Sequence, residues 1–221
     1  MFGRLKTIIK DKNEKKYINN LRRKIKNTSP TIISNNCIAG VIYHNLGIRF
    51  LSPTINLYIS GWDYIYFVEN LEYYLSCELI ERKEHNKGFP VGVLTSNDES
   101  KKDIEINFLH YKTFKEAKEA WYKRLKRVNY DNIFFIYEYY EKNGNNELLM
   151  RFNNIKYNKH IILHKPHNNM KEKWITVVNC YDKNETSGTI FNYDGITGKR
   201  YLDKFDYVSF LNENSNSSSV E

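Results

Sequence analysis

The segment Thr31-Ile32-Ile33-Ser34-Asn35-Asn36-Cys37-Ile38-Ala39-Gly40 constrains the fold of this chain more than any other. Its β-branched start reads as a short buried strand. Three small polar residues then turn the chain, and Ile38, Val41, Ile42 and Leu46 recur at helical spacing. A strand that feeds directly into a helix is the repeating element of α/β architecture.

Cys37 opens that helix. A thiol at a helix N-terminus sits at the positive end of the macrodipole, which favours thiolate. The first-turn amides lack partners inside the helix, so they can receive an anion or an oxyanion beside the sulfur. This makes Cys37 a candidate nucleophile. The competing reading is structural: free cysteine often behaves as a small buried apolar group, and Ser34, Asn35 and Asn36 are then helix caps.

Further along, strand and helix patterns alternate. Residues 2–26 carry Phe2, Leu5, Ile8 or Ile9, Ile18, Leu21 and Ile25 on one side and end at Ser29-Pro30. Leu46-Gly47 stops the second helix, and residues 51–59 are extended. Ser60 caps a helix expected to reach about Ile80, with Asp63 in its first turn. A polar loop covers 82–89, and strands are expected over 90–94 and 104–110. Thr113-Phe114-Lys115-Glu116 has the capping-box pattern, and the helix it starts has a basic outer face. Residues 133–139, 159–164 and 174–180 read as strands, 147–152 as a short helix, and 198–212 as ending in a helical turn. The sum is an α/β single domain with a mixed, largely buried sheet flanked by helices, plus a basic N-terminal helix. The expected limits are an arm over 1–27, a domain over 28–212 and a disordered tail over 213–221.

Charge divides along the same line. Of 34 basic residues, ten lie within residues 1–27 beside only Asp11 and Glu14, so the arm carries the whole net charge of +8, and the rest balances at 24 basic against 24 acidic. The body is therefore not a general polyanion binder, and no specific nucleic-acid partner is expected. Attraction to an anionic membrane belongs to residues 1–27, set against the simpler reading of a helix that packs on the domain and shows its charge to water. Three widely spaced cysteines without a CxxC pair argue against a cysteine zinc site and for reduced thiols in the cytoplasm. No apolar run approaches the ~20 residues a bilayer span needs, and no secretory leader pattern is present.

Several residues resemble one bacterial family: Thr-Ile-Ile-Ser-Asn-Asn-Cys at 31–37, Tyr43-His44-Asn45-Leu46-Gly47, Ser52-Pro53-Thr54, Asp63-Tyr64, Pro90-Val91-Gly92, Phe108-Leu109-His110-Tyr111, Trp121 with Arg124 and Arg127, and Phe205-Asp206-Tyr207-Val208. The pattern spans roughly residues 28–212 and is similar to domain of unknown function 1919, whose members are often labelled exopolysaccharide biosynthesis proteins. The resemblance implies a role in surface-polysaccharide assembly. A more distant likeness is to papain-like cysteine peptidases, which share a polar turn before an early cysteine and a later histidine.

His110, at a strand end, is the expected base for Cys37, with Asn36 or Asn35 orienting the imidazole or donating to an oxyanion. Its alternative role is to brace the neighbouring loop. Ser34, Asn35, Tyr111, Trp121, Arg124 and Arg127 are the expected substrate-binding set, the arginines suiting a phosphate or a sugar nucleotide; the alternative for them is a solvated basic face. Cys77 and Cys180 are expected to be less reactive than Cys37. His160, His164 and His167 suggest a metal site only weakly, since no carboxylate stands beside them in sequence, and no cofactor is expected. Three functions follow: acyl transfer or hydrolysis through Cys37, glycan-pathway transfer from a phosphorylated sugar donor without a covalent intermediate, or a non-catalytic accessory role.

Overall fold

The computed structural model describes residues 2–140, 146–167, 172–180 and 188–213. A parallel sheet of four strands lies at its centre, in the order β1 (Thr31–Ser34), β5 (Ile133–Tyr139), β6 (Asn158–Leu163) and β7 (Ile175–Val177). A second, antiparallel sheet contains β2 (Glu78–Glu81), β3 (Val91–Thr95) and β4 (Ile104–Asn107). The mixed character expected of the fold is thus divided between two sheets.

Both faces of the parallel sheet are covered, as parallel sheets require. Ile133, Phe135, Tyr137 and Tyr139 of β5 enter one core. That core also takes residues of α3 (Gly61–Glu69), α4 (Leu71–Ser76), α5 (Phe114–Leu125), α6 (Asn146–Asn153) and the antiparallel sheet. Phe134 and Ile136 point the other way. They meet α2 (Ile38–Leu46), the end of α1 (Phe2–Lys24), two short 3-10 turns at Thr189–Phe191 and Tyr201–Lys204, and α7 (Tyr207–Asn212).

The expected caps are in place: Ser60 Oγ accepts from Asp63 N at 3.4 Å and Thr113 Oγ1 from Glu116 N at 3.2 Å. Two elements differ. Residues 51–59, expected to be extended, bend at Pro53 and again through Asn56, whose φ is 62°, and pair only through the bridge of Tyr58 to Asn107. The helix expected to reach Ile80 breaks at Asn70, whose backbone leaves helical geometry, and ends at Ser76. Residues 78–81 pair with β3 instead and bury Leu79; pairing across the sheet outweighs a helical pattern that local sequence alone supports. The expected tail falls almost wholly outside the described residues.

Helix α1 is clasped along its middle. Asn13 Nδ2 donates to Ile196 O at 2.8 Å, Tyr193 Oη donates to Glu14 Oε1 at 2.6 Å, and Lys10 sits over the Tyr193 ring at 4.0 Å. The chain passes so close at Gly198 that a Cβ there would stand 2.2 Å from Glu14 N. Farther on, Arg22 Nε donates to Asn45 O at 2.8 Å and Leu21 is buried.

Candidate functional site

The carboxyl ends of β1, β5, β6 and β7 all lie at one edge of the parallel sheet, the edge where α/β folds build their sites. Residues two apart share a face. Glu138 therefore follows Phe134 and Ile136 onto the α2 side of β5. His164, one residue past β6, follows Ile162, and Cys180 follows Val178. Ser34 pairs with Ile136, which brings Asn36 level with Glu138. Strand register brings Glu138 and His164 to this edge; the turn after β1 adds Asn36, and the chain past β7, turning through Asn179 at φ 51°, adds Cys180.

Their side chains form a hydrogen-bonded line. Cys180 Sγ lies 3.2 Å from His164 Nδ1, and His164 Nε2 lies 2.7 Å from Glu138 Oε1. Asn36 Nδ2 donates to Glu138 Oε2 in a short contact. Asn35 fixes the backbone beneath: its Nδ2 donates to Glu138 O at 3.1 Å, and its Oδ1 accepts from Glu138 N at 3.0 Å. The Tyr140 ring stacks on His164 with centroids 4.9 Å apart.

Glu138 is fully buried in an otherwise apolar strand. A carboxylate so placed is costly unless paired and hydrogen-bonded, and His164 with Asn36 supplies both. Burial lowers the His164 pKa, but the bonds to Cys180 and Glu138 outweigh it and carry the imidazole up to about 10. The charged ring then donates from both nitrogens, one to the carboxylate and one to the sulfur. Because His164 stands between the other two, the three do not converge on a point where a metal could sit, and among the described residues no group of three or more metal-ligating side chains does. The other two histidines of this region serve elsewhere: His160 stacks on Phe205 at 3.8 Å and bonds Thr176 Oγ1 at 2.9 Å, and His167 bonds Asn146 Oδ1 at 2.8 Å.

Cys37 opens α2 as expected, but its thiol is pushed up to about 11, first by burial and then by the Glu138 charge. This reverses the expectation of a favoured thiolate. The first-turn amides are also occupied: Asn36 Oδ1 accepts from Ile38 N at 3.1 Å and Ser34 Oγ from Ala39 N at 3.1 Å. His110 lies exposed in the turn after β4, and no hydrogen bond joins it to Cys37 among the described residues.

The expected binding set is scattered. Trp121 is buried in the core, 6.5 Å from Phe67. Tyr111 Oη accepts from Arg124 Nη1 at 2.6 Å and reaches towards Ile55 O at 3.5 Å, and Arg127 is half-buried at the end of α5. Of the residues expected to do chemistry, Asn36 alone enters the line, with Asn35 and Ser34 bracing it. Glu138 and His164 were open to a different signal: the one interrupts an apolar strand and the other directly follows one, whereas Cys180 stands three residues past β7.

The fold and the site together define an α/β protein with a histidine-centred line at the carboxyl edge of a parallel sheet. The chain belongs to the family described as Domain of unknown function (DUF1919), whose pattern it matches over residues 8–212. It is similar to an uncharacterized protein of Haemophilus influenzae, 34% identical over 214 residues, which spans 96% of this chain and 98% of that one.

Proposed function

We propose that this chain catalyses acyl transfer or hydrolysis through Cys180, with His164 as acid and base and Glu138 as the residue that orients it. The carrying observation is the continuous line Sγ–Nδ1, Nε2–Oε1 at 3.2 and 2.7 Å. It joins a nucleophile to a base held by a third group. Asn36 positions the carboxylate and does not touch the reacting atoms.

The chemistry balances within this set. His164 holds the thiol proton, and the sulfur pair attacks an acyl carbon to form an S–C bond. The bond to the leaving group then breaks, and His164 gives its proton to the departing oxygen or nitrogen. Water or a hydroxyl next attacks the thioester, loses its proton to His164 and releases the sulfur. We place this reaction in the cytoplasm, where the three cysteines, none in a disulfide, stay reduced. Following the family resemblance, we take a surface-polysaccharide precursor as the acceptor.

The test uses p-nitrophenyl acetate and intact-protein mass spectrometry. One acetyl group on Cys180, absent in Cys180→Ser and retained in Cys37→Ser, is the expected result. Acetylation of Cys37 or Cys77, or of no cysteine, overturns the proposal.

A further inference from the structure

We infer that α1 lies along an anionic bilayer surface, with one exposed stripe as the contact. The stripe is Leu5, Ile8, Ile9, Lys12, Lys16 and Arg23, spaced as one helix face. Leu5, Ile8 and Ile9 are 56%, 57% and 37% exposed, unusual for large aliphatic side chains so closely grouped. The opposite face is the clasped one, holding Glu14, Tyr17 and Leu21 against the body. Lys12, Lys16 and Arg23 line one shallow open groove on the free face. The two acids of the helix are drawn away from it: Asp11 pairs with Lys10 at 3.1 Å and Glu14 bonds Tyr193.

The stripe therefore changes character along its length. An apolar tip about 10 Å long, over residues 3–9, is followed by a run in which the charged groups, Lys12, Lys16 and Arg23, are all cationic. A bilayer with anionic headgroups matches both parts, since aliphatic side chains enter the acyl boundary and lysines meet the headgroups. A nucleic acid would leave the aliphatic tip unserved. A second neutral-bodied copy would leave the cations unserved. No helix among the described residues is long and apolar enough to cross a membrane, so the contact is peripheral. It does not depend on the chemistry at Cys180.

The experiment is vesicle co-sedimentation of the full chain, with phosphatidylglycerol-containing vesicles against pure phosphatidylcholine at low salt. Adsorption to the anionic vesicles only, weakened by added salt, is expected. Lys12→Gln with Lys16→Gln should weaken it about thirtyfold, since each lysine near such a surface contributes roughly a fivefold factor. Leu5→Ser with Ile8→Ser should weaken it at least tenfold. Should the serine variant lose helix content, the glutamine variant decides, because Lys12 and Lys16 are exposed. Failure to adsorb, equal adsorption to both vesicle types, or insensitivity to both substitution pairs overturns the inference. So does a dimer without lipid that the serine pair dissociates, which would assign the stripe to a second copy.

Discussion

Two sulfurs flank the same carboxylate, and they differ in almost every respect. Cys37 stands at the start of a helix, half-exposed, in the position that a helix dipole argument favours for a reactive thiol. Cys180 lies past a three-residue edge strand and is 5% exposed. Yet Cys180 has the imidazole, while Cys37 has burial and a neighbouring negative charge that hold its proton on. Glu138 acts on both: it holds the protonated imidazole of His164 that contacts Cys180, and it directly disfavours charge at Cys37. A helix N-terminus contributes under about 1 kcal/mol in most settings. Burial and the Glu138 charge outweigh it at Cys37 and push the thiol up to about 11.

The largest test of this contrast is kinetic. With its thiol pushed up to about 11, Cys37 keeps its proton near neutral pH. Iodoacetamide should therefore label Cys180 at least tenfold faster than Cys37, against the order of exposure. His164→Ala should cut the rate of acetylation by p-nitrophenyl acetate by about a hundredfold to ten-thousandfold. Peptide mapping that finds Cys37 labelled first would reverse the assignment of the two sulfurs.

A smaller effect separates the asparagines that support them. Asn36→Ala removes the donor to Glu138 Oε2 and the acceptor of Ile38 N, leaving a buried carboxylate short of a partner. It should cost about 1–3 kcal/mol in denaturant unfolding and shift the pH profile of acetylation. Asn35→Ala breaks two bonds to backbone only, so it should cost stability while leaving that profile in place. Equal pH shifts in both variants would show that Asn36 acts only as a brace.

The smallest effect is on stability against pH. His164 is raised from 6.5 to about 10, so the fold binds its proton more tightly than the unfolded chain does. Its contribution is complete below about pH 6.5 and is lost as pH rises towards 10. His160 is lowered to about 3 by burial, so its effect has the opposite sign: stability is lost as pH falls from 6.5 towards 3. Urea midpoints of His164→Gln should flatten the alkaline slope, and those of His160→Gln the acid slope. A swap of these two slopes would refute a charged His164 and a neutral His160.

The sequence was most legible where structure is local. The β1–α2 unit, the start of α3, the capped helix α5 and the strands at 91–95, 104–107, 133–139 and 158–163 follow from periodicity and turn chemistry. The strand at 78–81 did not, because its pairing with β3 exists only in three dimensions. The site was hidden for the same reason. Cys37 draws notice through its own neighbours in sequence, whereas the partners of Cys180 lie 16 and 42 residues away along the chain, as the numbering of His164 and Glu138 shows. What brings them together is the parallel register Glu138 with Ile162 and Leu163 with Val177, and no single segment encodes it.

That register also sets an order of events in the cell. A chain grows from its N-terminus, and the four members of the line arrive at positions 36, 138, 164 and 180. Asparagine, carboxylate and histidine are all synthesised before the sulfur they serve. On the chemistry proposed for Cys180, a chain that ends before β7 carries the supporting groups without the sulfur.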